Sequence, residues 1–176
     1  SEDAGVVRFG PGALVAASEP VTLAADRIGW YALNIHANHI AVTGGVPRWF
    51  LTTLLLPPNA TGETVENIFL QIHDACRELS VAVIGGHTEV TMNVRQPLIC
   101  GTMLGTVDPG RIIKTSGARA GDAIIMTRGV CIEGAALLAL DRPVESKFIL
   151  GEDRWKKVCN YLHDPGISVV RDARIA

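Results

Sequence analysis

Residues 34–39 carry two asparagines and two histidines on a stretch that is otherwise apolar. At helical spacing Asn34 and Asn38 lie four residues apart, and His36 and His39 lie three apart, so each pair shares a helix face. Such a group can hold a phosphate or a metal ion. It can equally cap loops or form hydrogen bonds at a subunit contact, which is the commoner role of polar residues at this spacing. Spacing alone leaves both interpretations open.

A second polar segment, Gly-Gly-His-Thr-Glu at 85–89, directly follows the apolar run 81–84. Two adjacent glycines let backbone N–H groups approach an anion closely, as in phosphate-binding turns. Thr88 adds a hydroxyl, and Glu89 adds a hard oxygen ligand of the kind that Mg²⁺ prefers. An ordinary tight turn with a solvated tip would use the same glycines, but the full segment after a strand favours an anion site.

Carboxylates at the edges of predicted strands, among them Asp3 and Glu19, could reach a metal ion, although most such side chains are simply solvated. The glycine-bounded turn at 129–134 leads into a predicted helix, where an anion site and a packing role are equally compatible with the sequence. We find no Ser/His/Asp arrangement, Walker-type loop or dinucleotide-binding glycine pattern in the sequence. No catalytic residue is therefore identified, and ordinary P-loop and Rossmann folds are not supported.

Strands and helices alternate irregularly in the first part of the chain, which predicts an α+β fold with mixed elements. A hairpin is predicted at 6–9 and 13–17, and a helix capped by Asp26 is predicted to run to about residue 43. The remaining predicted elements up to residue 107 are strands at 49–56, 81–84 and 97–107 and a helix at 63–79.

The composition shifts between residues 108 and 121, where turn and loop residues concentrate. Beyond it we predict a strand at 123–127 and helices at 132–140, at 151–162 and from 164 onward. The chain starts without Met and ends inside a helical pattern, which suggests a piece of a longer protein. We therefore expect a first domain at 1–108, and a linker with the beginning of a second domain at 109–176.

The chain of 176 residues is 48% hydrophobic with a net charge of −2. It has no Lys/Arg run, which argues against nucleic acid as a partner. Its apolar runs fall well short of the ~20 residues of a membrane helix, and no secretory signal is visible. The four cysteines stand far apart, which is typical of buried cytosolic thiols. We expect a cytoplasmic protein.

Taken in order, five stretches of the chain resemble the superfamily of aminoimidazole ribonucleotide synthetase, hydrogenase expression/formation protein, thiamine-monophosphate kinase and selenophosphate synthetase. Within this superfamily, the motifs of the chain are most similar to those of the hydrogenase-maturation type and its uncharacterised relatives. The stretches are Glu-Asp-Ala-Gly-Val-Val at 2–7, Glu-Pro-Val-Thr at 19–22, the run from Asn38 to Pro47, Gly-Gly-His-Thr-Glu at 85–89, and 121–134.

The resemblance implies an enzyme that uses ATP and Mg²⁺, with two β-rich N-terminal domains paired into a dimeric β-barrel and ATP at the dimer interface. Carried over residue by residue, it implies nucleotide contacts from Thr22, Asn38, His39, Gly85, Gly86, His87 and Thr88. It implies metal contacts from Asp3, Glu19 and Glu89. The chain departs from the family at His39, which stands where the family has a metal-binding Asp, and imidazole prefers transition metals to Mg²⁺.

The resemblance therefore implies the ATP-binding domain of an enzyme that activates a carbonyl or amide oxygen by phosphorylation, like the carbamoyl dehydratase of hydrogenase maturation. Its substrate would be a small molecule or a protein thiol, its assembly a homodimer, and this stretch alone an incomplete catalyst. The alternative is a non-catalytic nucleotide-binding or dimerisation paralogue that has lost the metal-binding Asp at His39. A third reading is a transition-metal site of His36, His39, His87 and Glu89.

Overall fold

The computed structural model describes residues 3–22 and 27–176. The chain forms two compact units, of which the first runs to Ala118 and also includes Val169–Ala176, and the second is Arg119–Ser168. The first unit is therefore discontinuous in sequence. The expected division into 1–108 and 109–176 concerns the domains of the whole protein and stays a prediction.

A five-stranded mixed sheet forms the centre of the first unit, in the order β1-β2-β5-β3-β4. The strands are β1 (Gly5–Phe9), β2 (Gly12–Val21), β3 (Val46–Leu56), β4 (Ala82–Val90) and β5 (Leu98–Val107). All neighbours are antiparallel except β3 and β4, which run parallel. A parallel pair needs a crossover connection, and α2 (Gly62–Leu79) supplies it. The predicted hairpin and the strands at 49–56 and 97–107 are confirmed.

One face of the sheet is buried beneath α1 (Ile28–Val42), and α2 packs against α1. Burial alternates along the central strands, as the two-residue period of a strand requires when only one face is covered. The covered face is built mainly from Val15, Ala17, Phe50, Leu54, Ile99 and Met103. The fold is thus a mixed α/β layer structure.

Helix α1 is buried on most of its surface, because it contacts the sheet, α2 and the C-terminal helix α6 (Val170–Ile175). Two polar residues of α1 form side-chain hydrogen bonds within the helix, although the buried Nε2 nitrogen of His36 has no partner among the described residues. The Asn34 side-chain amide donates to the Trp30 carbonyl at 3.0 Å, and the Nδ1 nitrogen of His36 contacts the Ala32 carbonyl oxygen at 2.6 Å. The predicted helix therefore exists, while its predicted cap Asp26 lies outside the described residues.

Two strand predictions need correction, one in its burial and length and the other in its existence. The segment predicted as a short buried strand followed by a turn is β4, nine residues long and exposed throughout. It is the last strand of the sheet and has a neighbour on one side only. Residues 123–127, predicted as a strand, have no regular structure, and Ile124 is fully exposed. A strand needs a hydrogen-bonded neighbour, and none lies beside this segment in the described part of the chain.

The second unit contains three helices: α3 (Ile132–Asp141), α4 (Pro143–Leu150) and α5 (Glu152–Cys159). The Trp155 indole N–H donates to the Ala139 carbonyl at 3.0 Å and ties α5 to α3. Helices at 132–140 and 151–162 were predicted, and α4 between them was not. No helix in the described residues has the length and hydropathy that a membrane crossing requires.

Candidate functional site

Three of the predicted site residues meet where α1 passes the first two strands. The Nε2 nitrogen of His39 lies 2.8 Å from Oε1 of Glu19, and its Nδ1 nitrogen lies 3.8 Å from Oδ2 of Asp3. Because an ionised carboxylate only accepts hydrogen bonds, the hydrogen in the shorter contact belongs to His39 Nε2. The His39 side chain is 22% exposed and that of Asp3 is 81% exposed. The cluster is therefore open to solvent on the Asp3 side.

A small cavity of about 190 Å³ opens beside this cluster and is lined by Asp3, His39, Ile113, Lys114 and Thr115, among others. The segment that carries Lys114 follows β5 and is fastened to the end of α1 by the Ile113 N–H, which donates to the Thr43 carbonyl at 3.0 Å. Sequence reasoning missed Lys114. The signal available in the sequence was a lysine in the loop that follows β5.

The fastening also explains Gly44, which has a φ of +82° and lies against the backbone of Arg111. A side chain here would meet the Arg111 carbonyl oxygen, and only glycine adopts this φ freely. The loop after β5 is therefore held at two consecutive residues of the α1 C-terminus. This fixes Lys114 beside His39.

Asn38 precedes His39 on α1 but is engaged elsewhere. Its side-chain oxygen accepts a hydrogen bond of 2.8 Å from the Val169 N–H, at the start of α6. Asn38 thus connects two parts of the first unit that are 131 residues apart in sequence. The predicted nucleotide contact of Asn38 stays a prediction.

The Gly-Gly-His-Thr-Glu segment lies within β4, so the predicted turn is wrong. Gly86 is opposite Thr52 and cannot carry a side chain, because a Cβ would overlap the Thr52 backbone. His87 and Glu89 share one face of the strand, with 3.7 Å between Nε2 and Oε2, and are more than half exposed. The backbone N–H groups on the open edge of β4 can still bind an anion, but Gly85 and Gly86 do not form the concave loop of a phosphate-binding turn.

The two groups of predicted residues are separated within one chain. Glu19, Gly101, Thr52 and Gly86 follow one another across the sheet. Three interstrand steps put Glu19 and Gly86 about 14 Å apart. Thr22 directly follows β2, and its carbonyl oxygen accepts a hydrogen bond of 2.7 Å from the Gln96 side chain.

The predicted metal ligands do not converge in a single chain, since Asp3 and Glu19 flank His39 while Glu89 lies on β4. Among residues 3–22 and 27–176, no three His, Cys, Asp or Glu side chains are placed so that they could hold a metal ion. The hypothesis of a transition-metal site is wrong for His36, whose side chain is fully buried between α1 and the sheet.

The expectation of buried thiols is correct for Cys76 alone. Burial raises the pKa of the Cys76 thiol to about 11, so it is not a nucleophile near neutral pH. Cys100 and Cys131 are exposed, and Cys159 is partly buried. None of the four belongs to the cluster around His39.

Comparison with known proteins places the chain in a family. Residues 1–107, more than half of the chain, match the N-terminal domain of AIR synthase related proteins. The chain belongs to this family, which the resemblance read from the sequence had indicated. The match ends at the last residue of β5. The family assignment therefore covers the sheet, α1 and α2.

Two curated relatives cover most of the chain. A Methanocaldococcus jannaschii protein named as a hydrogenase expression/formation protein is 31% identical over 120 residues, which are 68% of this chain and 36% of the relative. The carbamoyl dehydratase HypE of Cupriavidus necator is 27% identical over 154 residues, 80% of this chain and 42% of the relative. The chain thus spans less than half the length of these relatives.

Among solved structures, the thiamine-monophosphate kinase AaThiL in complex with AMPPCP and TMP has a TM-score of 0.82 at 19% identity. The alignment covers 99% of this chain and 56% of the kinase. At this identity the similarity establishes the fold alone.

Proposed function

We propose that the chain is the ATP-binding first domain, with the beginning of the second, of an ATP-dependent enzyme. In this proposal the enzyme activates a carbonyl or amide oxygen by phosphorylation, as a carbamoyl dehydratase of hydrogenase maturation does. The family assignment and the two hydrogenase-maturation relatives support the proposal. In this proposal the substrate is a small molecule or a protein thiol, and parts of the enzyme beyond this chain select it.

The observation that carries the proposal is the cluster of Asp3, Glu19 and His39 beside a cavity lined by Lys114. Charged side chains of both signs meet there at the ends of three different elements. Catalysis of phosphoryl transfer consists mainly of positioning and of stabilising the charge on the phosphates. A rigid, charged corner of this kind suits that task better than any other group in the described residues.

The proposed reaction needs little covalent chemistry from the protein. The carbonyl or amide oxygen attacks the γ-phosphorus, the bond to the β–γ bridging oxygen breaks, and ADP leaves. The new phosphate ester makes the former carbonyl oxygen a leaving group. Groups of this chain would hold the triphosphate in line with the acceptor, which is the larger part of the rate enhancement.

Mg²⁺ is the second cofactor that the resemblance implies, with Asp3, Glu19 and Glu89 as its ligands. Mg²⁺ requires oxygen ligands in near-ideal octahedral geometry. In one chain, Glu19 is hydrogen-bonded to His39, and His39 presents nitrogen instead of a carboxylate oxygen. The residues around His39 in one chain therefore do not fit Mg²⁺.

We also propose that the chain forms a homodimer through the uncovered face of the sheet. This face carries Leu14, Trp49, Leu51, Leu98 and Leu104, which are only partly exposed yet lie under no helix. A hollow of about 660 Å³ at one end is lined by apolar residues of all five strands. A second copy would cover this surface and could bring its β4 to the His39 cluster, which one chain cannot do.

The proposal is tested by isothermal titration of ATP into the full chain, with Mg²⁺ and with EDTA in separate experiments. We expect saturable binding in at least one buffer, and a rise in thermal stability of about 2.7 kcal/mol when ATP is at 100 times its Kd. Glu19→Gln is expected to weaken binding, because a neutral amide oxygen replaces the charged acceptor of the His39 hydrogen bond and holds His39 less firmly.

Glu63→Gln is the matched control, since Glu63 is exposed at the first turn of α2 and away from the cluster. It should leave ATP binding unchanged. Absence of ATP binding in both buffers would refute the proposed function. Phosphate release from ATP by the full-length protein, with candidate acceptors, then tests the reaction.

A non-catalytic paralogue that binds nucleotide or only dimerises is the second candidate, and the His39–Glu19 hydrogen bond favours it. On that reading His39→Asp restores a lost ligand, and ATP binding should then become tighter in the presence of Mg²⁺. Under the enzyme proposal the same substitution disturbs an adapted site and weakens binding. The direction of the change separates the two candidates.

A further inference from the structure

Lys114 is the cation that faces the cavity beside His39. Its ammonium group forms no hydrogen bond or ion pair with any residue that the structure describes. The backbone around it is fixed, because the Ile113 N–H is bonded to Thr43 and Arg111 lies against Gly44. A fixed, unpaired cation beside a cavity is suited to an anion.

His39 has a second effect at the same place. By donating to Oε1 of Glu19, His39 engages one oxygen of the less exposed of the two carboxylates beside it, since the Glu19 side chain is 37% exposed and that of Asp3 is 81% exposed. Asp3 is then the one remaining carboxylate that lines the cavity. Mg²⁺ is usually bound by one or two carboxylates together with the substrate phosphates, so Asp3 alone supplies the smallest usual set of protein ligands, from a side chain that is 81% exposed.

We propose that this chain binds the phosphates of its nucleotide directly through Lys114, without a divalent ion beside His39. The inference rests on the proposed function, because it assumes that a nucleotide binds at this cluster. Lysine is a compact point charge that binds phosphate oxygens in many nucleotide sites. The His39–Glu19 pair takes the place of the metal and its ligand, and Lys114 supplies the positive charge.

Substitution of Asp3 tests the proposal, because the direction in which ATP affinity changes distinguishes phosphate binding by Lys114 from phosphate binding through Mg²⁺. A phosphate held by Lys114 in the cavity is repelled by the Asp3 carboxylate on the same wall. A phosphate held through Mg²⁺ would instead be attached by Asp3, as a metal ligand. Asp3→Asn therefore tightens or preserves ATP binding in the first case and weakens it in the second.

The experiment is titration of ATP into the full chain and its variants in EDTA and in Mg²⁺. For the unmodified chain we expect Kd values in the two buffers within about threefold of each other, which corresponds to less than about 0.7 kcal/mol. Lys114→Met is expected to raise the Kd in EDTA by about tenfold or more, the usual loss for one hydrogen bond to a charged group. Tripolyphosphate is the second probe and should compete with ATP.

Lys157→Met, an exposed lysine on α5, is the control for a general loss of positive charge. It should leave both Kd values unchanged. Circular dichroism and thermal melts show whether each variant is folded, and the exposed positions of Lys114 and Asp3 make folding defects easy to separate from binding.

Three results would overturn the inference. Binding that occurs in Mg²⁺ and is lost in EDTA contradicts it and leaves the proposed function intact. An unchanged Kd for Lys114→Met in EDTA, or a Kd raised tenfold by Asp3→Asn, contradicts the assignment of the residues. Absence of ATP binding in both buffers refutes the proposed function and the inference with it.

Discussion

At the scale of single residues, Gly101 is one of two β5 glycines against which side chains of α1 pack directly. A Cβ at this position would lie 2.6 Å from Cε1 of His36 and 2.7 Å from Cε2 of Phe50. The two rings are in edge-to-face contact, with centroids 5.5 Å apart, so neither can move without the other. The absence of a side chain at Gly101 allows α1 to pack this low.

We therefore predict that Gly101→Ala destabilises the protein by about 1–3 kcal/mol, the usual cost of overpacking a core. Gly12→Ala is the matched control in the same sheet, because its Cβ would meet nothing nearer than 3.7 Å. Urea unfolding measures both variants. Equal midpoints for the two would contradict the packing explanation.

Residue-level reasoning from the sequence was right about some residue types and wrong about their reasons. Glycines inside a strand often mark bends, but a Cβ at Gly101 or Gly105 would overlap His36 or Ile40, so these glycines make room for α1. His36 and His39 looked equivalent by spacing, yet one is fully buried and the other is partly exposed in the site. The sequence does not encode which helix face lies against the sheet when nearly all faces are apolar.

At the scale of elements, α2 is the helix whose ends follow the sequence signals most closely. Its N-cap is Thr61, whose hydroxyl accepts a hydrogen bond of 3.1 Å from the Thr64 N–H. Its C-terminus ends at Ser80 in the left-handed conformation. Helix α2 connects the parallel strands β3 and β4, so its ends help to place the β4 edge.

We predict that Thr61→Ala destabilises the first unit by about 1 kcal/mol, because the N–H of Thr64 loses its side-chain acceptor. Thr61→Ser keeps an acceptor and should retain most of the stability. Chemical denaturation followed by circular dichroism compares the two variants. If serine costs as much as alanine, the hydroxyl does not cap the helix.

Strands were predicted well where the local hydrophobic pattern matches the burial that the neighbouring elements impose. They were predicted poorly where burial or strand formation depends on neighbours that the local sequence does not reveal. The alternation in β2 and β5 is visible in the sequence and matches their burial. The apolar run at 81–84 has the composition of a buried strand, but its position at the sheet edge leaves Val83 and Ile84 about half exposed, at 48% and 54%. Likewise, 123–127 has the composition of a strand and no partner strand among the described residues.

At the scale of the whole molecule, the two faces of the sheet differ in what covers them. Helix α1, with α2 packed against it, covers much of one face, and the described residues cover the other only in part. The family and the residues that meet at His39 were predictable because they depend on short motifs in a fixed order. The separation of the His39 cluster from β4 depends on strand order, which pairwise spacing does not reveal.

The proposed dimer predicts that Leu104→Lys, on the uncovered face of β5, converts the chain from a dimer to a monomer. A buried, unpaired lysine at the interface would cost far more than the interface gains there. Light scattering after size-exclusion chromatography measures the mass. Leu70→Lys, at an exposed position of α2, is the control and should remain dimeric.

A monomeric mass for the unmodified chain would refute the dimer. Thermal melts of Leu104→Lys show whether it is folded, and Trp49→Glu on the neighbouring strand provides an independent disruption of the same face. If both variants remain dimeric, the contact between copies lies elsewhere.

The hydrogen bond between Asn38 and Val169 has a consequence for how this domain is inherited and divided. The segment that completes the first unit returns from far along the chain, so no single cut isolates the unit intact. A protein shortened after residue 118 would lack α6 and leave the Asn38 oxygen without its partner from Val169. An exchange of this domain between relatives must therefore carry two separate stretches of sequence, and a recombination that moves only the first would damage the helix that bears His39.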